Sequence, residues 1–258
     1  MIMGMYEIFK QLHQQKNPFL LGNVWNASSA RIFEQHGYKA IGTSSAAIAD
    51  SLGYEDGEKI SFNELFFIVE KIIAAVHIPL SVDIERGYSD NINEILNYIE
   101  KLYHAAVVGI NIEDSETSIG QQKLISIDAF SKKLSRIKNH LSKRNMNMFV
   151  NARTDAFLLG LPSPIAITSE RIRAYENAGA DGIFVPFLSD SNSIKKITAT
   201  TSLPVNVMCM PGLPSFNILA ELGVRRISTG NFIFRSLYDN LGKLIKNIDT
   251  VGSFSPLF

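Results

Sequence analysis

Two carboxylates stand two residues apart in the run from Pro79 to Ser89, Asp83 and Glu85, just after the apolar residues Leu80 and Val82. Side chains two apart on a strand share a face, so both acids are expected to point the same way at a strand's C-terminal end. The stretch from Val107 to Glu113 and Asp114 repeats the pattern, and the stretch from Met148 ends instead on Arg153 and Asp155. Carboxylates gathered in one place repel one another unless a cation intervenes or one keeps its proton. An all-oxygen set with neither His nor Cys suits a hard ion, magnesium or manganese. Beside such an ion, Arg153 reads as a fork for a substrate carboxylate or phosphonate.

Apolar runs whose C-terminal ends carry the polar groups are the mark of an α/β barrel. The chain predicts eight of them, ending near residues 22, 44, 83, 113, 153, 186, 208 and 230. Between them lie helical patterns at 27–35, 61–76, 92–106, 126–144, 169–178, 191–200 and 214–222, with a first helix in 1–17 and a last at 232–248. Ser61 followed by Glu64 is a capping box for one of them. This alternation predicts one domain over residues 1–258, a (β/α)8 TIM barrel; an open doubly wound sheet is the other arrangement it allows. The barrel brings Ser44, Asp83, Glu85, Glu113, Arg153 and Asn206 to one mouth, where Asp56 joins them from the loop after the second strand. Thr43-Ser-Ser-Ala-Ala47 leaves a strand and enters a helix, so its amides and hydroxyls are placed to hold an anion.

The 258 residues carry 25 basic and 25 acidic side chains, a formal net charge of zero, which argues against a nucleic-acid or anionic-membrane partner. With one cysteine, Cys209, no internal disulfide or thiolate-rich metal site can form, and packing is its expected role. The five histidines fall in helices or at their ends, away from the strand termini. Neither a signal peptide nor a membrane span is expected, so the protein reads as soluble and cytoplasmic.

In order and spacing, Asn23-Val-Trp-Asn-Ala-Ser-Ser-Ala-Arg31, Thr43-Ser-Ser-Ala, Ser51-Leu-Gly-Tyr-Glu-Asp56-Gly, Val82-Asp-Ile-Glu-Arg-Gly-Tyr88, Gly109-Ile-Asn-Ile-Glu-Asp114 and Asn151-Ala-Arg-Thr-Asp-Ala156 form a set. With Ala178-Gly-Ala-Asp-Gly182, they make the chain resemble the isocitrate lyase/phosphoenolpyruvate mutase superfamily from Asn17 to about Leu244. The resemblance implies a barrel that binds small 2-oxo carboxylates through magnesium. It implies Asp83 as the direct metal ligand, with Asp56, Glu85 and Glu113 holding the metal's waters. Ser44, Ser45 and Ala46 would cradle the substrate's carboxylate or oxo oxygen, Arg153 would meet its anionic end, and Ser45 and Arg153 are the expected catalytic pair. It also implies a homotetramer that exchanges the last helix between subunits.

Family lyases carry a Cys in a Lys-Lys-Cys-Gly-His motif after the fourth strand. Here that stretch, 115–123, is polar, holds Gly120 and has neither Cys nor His. It is expected to be a mobile loop that closes over bound ligand. The expected activity is therefore a magnesium-dependent carbon–carbon cleavage of a small 2-oxo acid through an enolate, of the oxaloacetate decarboxylase or carboxylate lyase kind. Carbon–phosphorus chemistry of the mutase or phosphonopyruvate hydrolase kind is one alternative, and a non-catalytic carboxylate binder is another.

Overall fold

The computed structural model describes residues 2–118 and 121–258. Helix α1 (Ile2–Leu12) precedes β1 (Phe19–Val24), α2 (Ala27–Gln35), β2 (Ile41–Thr43), α3 (Ser45–Ser51) and α4 (Phe62–Ile73). Next come β3 (Leu80–Asp83), α5 (Ile92–His104), β4 (Gly109–Glu113), the short strands β5 (Ser115–Ser118) and β6 (Gln121–Leu124), and α6 (Ile127–Lys143). The chain continues through β7 (Phe149–Arg153), α7 (Pro164–Asn177), β8 (Gly182–Phe184), α8 (Ser191–Thr198), β9 (Val205–Met208), α9 (Phe216–Glu221) and β10 (Val224–Ser228) to α10 (Phe232–Val251). Eight parallel strands close in the order β1-β10-β9-β8-β7-β4-β3-β2, so the fold is the expected (β/α)8 barrel.

Two stretches depart from the sequence reading. The stretch after β4 is an antiparallel hairpin, β5 against β6, rather than a loop; Gly120 lies outside the described residues. Its two strands are polar except for Leu124, so they lack the apolar alternation by which strands are recognised. Helix α7 begins at Pro164, well before residue 169, because proline's fixed φ suits the first helical turn even where two prolines suggest a loop. Cys209 is exposed just past β9 and packs no core.

Inside the barrel the strands carry tiers of side chains. At the N-terminal end, Phe19, Leu21, Val108 and Phe149 close on Phe9 and Leu12 of α1 in a separate apolar cluster. Above it the tier is polar: Asn111 on β4, Asn151 on β7, Asn206 on β9 and Arg226 on β10 are all buried. Parallel pairing sets Asn111 beside Asn151 and Asn206 beside Arg226. Two residues further along the strands stand Asp83, Glu113 and Arg153 at the mouth, the period-2 consequence of Ser81, Asn111 and Asn151 facing inward.

Candidate active site

Asp83 ends β3, where its N–H donates to Thr43 Oγ1 at 2.8 Å. Its carboxylate accepts the Ser45 hydroxyl at 3.1 Å and the Glu85 N–H at 3.2 Å. Glu85 reaches the mouth by another route than strand alternation. The strand stops at Asp83, and Glu85 lies on the turn beyond, at φ 48°. A non-glycine residue in the left-handed region persists only where its surroundings hold it. Here Glu58 does so, accepting the N–H groups of Arg86 at 3.1 Å and Tyr88 at 2.7 Å and pairing with Arg86 Nε at 2.8 Å. Gly87 completes the turn at φ 118°, where a Cβ would meet Ile95 Cδ1 at 2.7 Å.

Glu113 and Arg153 are register partners on β4 and β7, and their side chains pair at 2.8 Å. Arg153 also forks onto Asp155, with Nε to Oδ1 at 2.7 Å and Nη2 to Oδ2 at 3.1 Å. Asp155 is fixed in turn by the Ser115 hydroxyl at 2.6 Å, and Gln122 of the hairpin donates to Ser115 Oγ at 3.0 Å. Beneath this, fully buried Asp114 accepts Tyr175 Oη at 2.6 Å, Arg171 Nη1 at 2.9 Å and the Asp155 N–H at 3.1 Å. That knot ties the end of β4 to α7 and to the turn after β7. Asp114, Arg171, Tyr175, Glu58 and Ser115 had no assigned part in the sequence reading; only the Glu113-Asp114 and Arg153-Thr-Asp155 pairs hinted at it.

The electrostatics follow from placing acids where water is scarce. Burial raises Asp83 above the ordinary carboxylate range, partly offset by the Arg153 cation. Burial, then the charges of Asp83, Asp56 and Glu58, push Glu85 up to about 8. Glu113 is raised well above its ordinary value by burial, against the pull of Arg153. Burial works against the Arg153 cation too, but Asp155, Glu113 and Asp83 together hold it well above the usual guanidinium value.

Two adjoining cavities open at this mouth. One, of about 310 Å³, is lined by Ser44, Ser45, Ala46, Asp83, Asn111 and Arg153 among others. The other, of about 620 Å³, adds Glu85, Tyr88, Glu113 and Ser115, and both are bordered by exposed Asp56. The structure thus gathers every residue expected at the mouth except Asn206. That amide is buried in the polar tier, donating to Val207 O at 2.7 Å, and lines neither cavity.

All available ligands at the mouth are oxygens, and among the described residues no group of three or more Asp, Glu, His or Cys is close enough to hold an ion outright. This fits a magnesium ion that takes one protein carboxylate and keeps most of its waters. Asp83 would be that carboxylate, with Asp56, Glu85 and Glu113 set to order water.

Residues 9–249 match the family model described as phosphoenolpyruvate phosphomutase. The chain belongs to this family. An uncharacterised Mycobacterium tuberculosis protein is 38% identical over 223 residues, covering 86% of this chain and 81% of the other. A 2-methylisocitrate lyase of Shewanella oneidensis is 30% identical, covering 76% and 68%. A solved structure from Burkholderia cenocepacia, a candidate phosphonomutase, superposes with a TM-score of 0.88 at 34% identity, covering 94% of this chain and 99% of that one. Oxaloacetate decarboxylases and a phosphonopyruvate hydrolase in complex with oxalate and Mg²⁺ are among the other matches, the last sharing the fold at 22% identity. The relatives of this phosphoenolpyruvate mutase family chain are lyases and mutases of the isocitrate lyase/phosphoenolpyruvate mutase superfamily. Among its described residues, no helix is long and apolar enough to cross a membrane.

Proposed function

We propose that the protein is a magnesium-dependent lyase that cleaves a carbon–carbon bond in a small 2-oxo carboxylate, with oxaloacetate-type decarboxylation as the reaction. The observation that carries this reading is the lining of the mouth cavities. They combine Asp83, Ser45, Glu85, Glu113 and Arg153, and among the described residues they hold no thiol and no imidazole. The chemistry must therefore need no acid from a Cys or His.

The first N–H groups of a helix have no partner within it. At α3, the Ser44 hydroxyl covers only the Ala47 N–H, at 3.3 Å, and Ser45 and Ala46, whose amides it leaves uncapped, line the cavity. These amides bind the substrate's oxo oxygen and stabilise the charge that develops there. Arg153, pinned by Asp155 and Glu113, orients the substrate carboxylate with no freedom left to lose. Asp83 would hold a magnesium ion, which would supply Lewis-acid polarisation of the carbonyl. As the bond to the departing carboxylate breaks, its electron pair passes into the enolate and carbon dioxide leaves. The enolate carbon then takes a proton from water in the cavity, which the hairpin residues Ser115 and Gln122 line.

The test is release of carbon dioxide and pyruvate from oxaloacetate with magnesium, measured against magnesium alone. Turnover no faster than that control overturns the reading. The 34% identity to the candidate phosphonomutase favours carbon–phosphorus chemistry as a second reading. Phosphonopyruvate consumed in place of oxaloacetate would decide for it.

The same reading extends to assembly and setting: a cytoplasmic homotetramer that exchanges α10 between subunits. Of that helix only Phe234 is buried, against Trp25 at 5.2 Å. Leu237, Tyr238, Leu241 and Ile245 stand about half exposed, more apolar surface than a solvated flank carries. A sedimentation profile of a monomer across micromolar concentrations would remove the exchange.

A further inference from the structure

Among the described residues, Arg226 is the largest fully buried side chain, and it has no carboxylate within ion-pair distance. Its guanidinium lies in the polar tier of the barrel, where Nη2 donates to Asn111 Oδ1 at 3.2 Å. Nε and Nη1 are buried without a partner. A charge left this way is expensive, and a barrel interior filled with aliphatic side chains would avoid the expense. Its position therefore asks for a purpose beyond packing.

The hydrogen bonds around it supply one. Arg226 can only donate, so the Asn111 atom facing it must be the carbonyl oxygen. Asn151 Nδ2 donates to the same oxygen at 3.0 Å, and Asn151 is itself held by Asn206 Oδ1 at 3.4 Å. With Oδ1 doubly occupied, the Asn111 amide has one orientation. Its Nδ2 makes no hydrogen bond among the described residues and is not among the buried unpartnered atoms, while Asn111 lines the 310 Å³ cavity beside Ser45, Asp83 and Arg153. A donor with a fixed direction is thus presented at the floor of the mouth.

We propose that Asn111 binds the substrate, donating from Nδ2 to an anionic or oxo oxygen, and that Arg226 is the positioning residue that fixes this donor. This rests on the mouth being an oxo-acid site. It assigns a depth to the substrate: an acceptor oxygen must reach the β4 floor as well as the rim at Ser45 and Arg153. A compact planar dianion such as oxalate meets both, whereas a ligand with an apolar group at that end leaves the Asn111 amide unsatisfied. Buried donors left unpaired by the wrong ligand are the strongest source of discrimination a site has.

The experiment is calorimetric titration of oxalate at saturating magnesium on wild type, Asn111→Leu, Arg226→Met, Arg226→Lys and the Asn111→Leu/Arg226→Met double variant. Asn111→Leu should weaken oxalate by about tenfold to a hundredfold, and Arg226→Met by about tenfold. Arg226→Lys should recover most of the loss by restoring a buried donor to Asn111 Oδ1. Because Arg226 acts through Asn111, the double variant should bind no worse than Asn111→Leu alone, rather than by the product of both losses. Arg226→Met should melt no lower than wild type, since it removes a buried unpaired charge, so it reads the proposal even where Asn111→Leu folds poorly. Oxalate bound within twofold of wild type by either single variant, or additive losses in the double, overturns the assignment. Wild type that binds no oxalate with magnesium instead overturns the reading of the mouth itself, and this inference with it.

Discussion

The two ends of the barrel are built from the same strands and oppose each other in almost every physical respect. At the N-terminal end, Phe9, Phe19 and Phe149 meet edge to face, with Phe9 5.6 Å from Phe149, around His13, which stacks on Phe149 at 4.1 Å. That end spends its side chains on packing. At the C-terminal end, Asp83, Glu85 and Glu113 are buried within reach of one another's charge, with Arg153 as the balancing cation. That end gives up stability to hold groups in a reactive arrangement. The difference teaches where the fold's stability is made and where it is used, and it gives the ends opposite responses to mutation and to pH.

The largest expected effect lies at the packed end. Phe149→Ala should cost about 3–5 kcal/mol in urea unfolding, through lost burial and the cavity left behind. It should leave ligand affinity at the mouth unchanged; a change in oxalate affinity comparable to the stability loss would mean that the two ends are not separable.

Next comes the pH response. Burial, helped by the Arg226 charge, lowers His13 to about 3 from its usual 6.5. Unfolded chains bind this proton below about pH 6.5 and the native state does not, so the stabilisation is complete above that pH and lost as pH falls toward 3. The loss is on the order of 4 kcal/mol over that window. His13→Phe should flatten this limb of the stability profile, and an unchanged slope would contradict the burial of a neutral imidazole. The mouth runs the other way. Glu85 rises from 4.5 to about 8, so the native state keeps a proton that the unfolded chain releases, and stability falls as pH climbs from 4.5 to 8. Glu85→Gln should flatten that limb and raise metal-free stability near pH 7 by about 1–2 kcal/mol, with added magnesium restoring the wild type more than the variant. Loss of stability on this substitution would show that the carboxylate is a structural anchor.

Much of this contrast was legible in the sequence, for a physical reason. Strands of a parallel barrel are buried on both faces and read as apolar runs, so the polar residues that close them stand out. Asp83, Glu113 and Arg153 were found that way. Glu85 was found for a reason that does not hold, since it sits on a strained turn secured by Glu58 from a distant loop. The Asn111–Asn151–Asn206–Arg226 tier was out of reach because its partners are 40 to 115 residues apart in sequence. An inward-facing Arg on a strand is indistinguishable from a solvated one until the barrel closes. The hairpin after β4 was missed because four-residue polar strands carry no apolar alternation.

The claim at the centre of this account is that the costly end of the barrel exists to hold a metal at Asp83. Calorimetric titration of magnesium into wild type and Asp83→Ala tests it most directly, with oxalate present to complete the site. Wild type should bind magnesium and Asp83→Ala should bind none, with a fold at least as stable because burial already raises the Asp83 pKa. Glu85→Gln should fall between them, since an amide still orients water. Equal magnesium binding by wild type and Asp83→Ala would contradict the account and leave the acids of the mouth as a structural cluster.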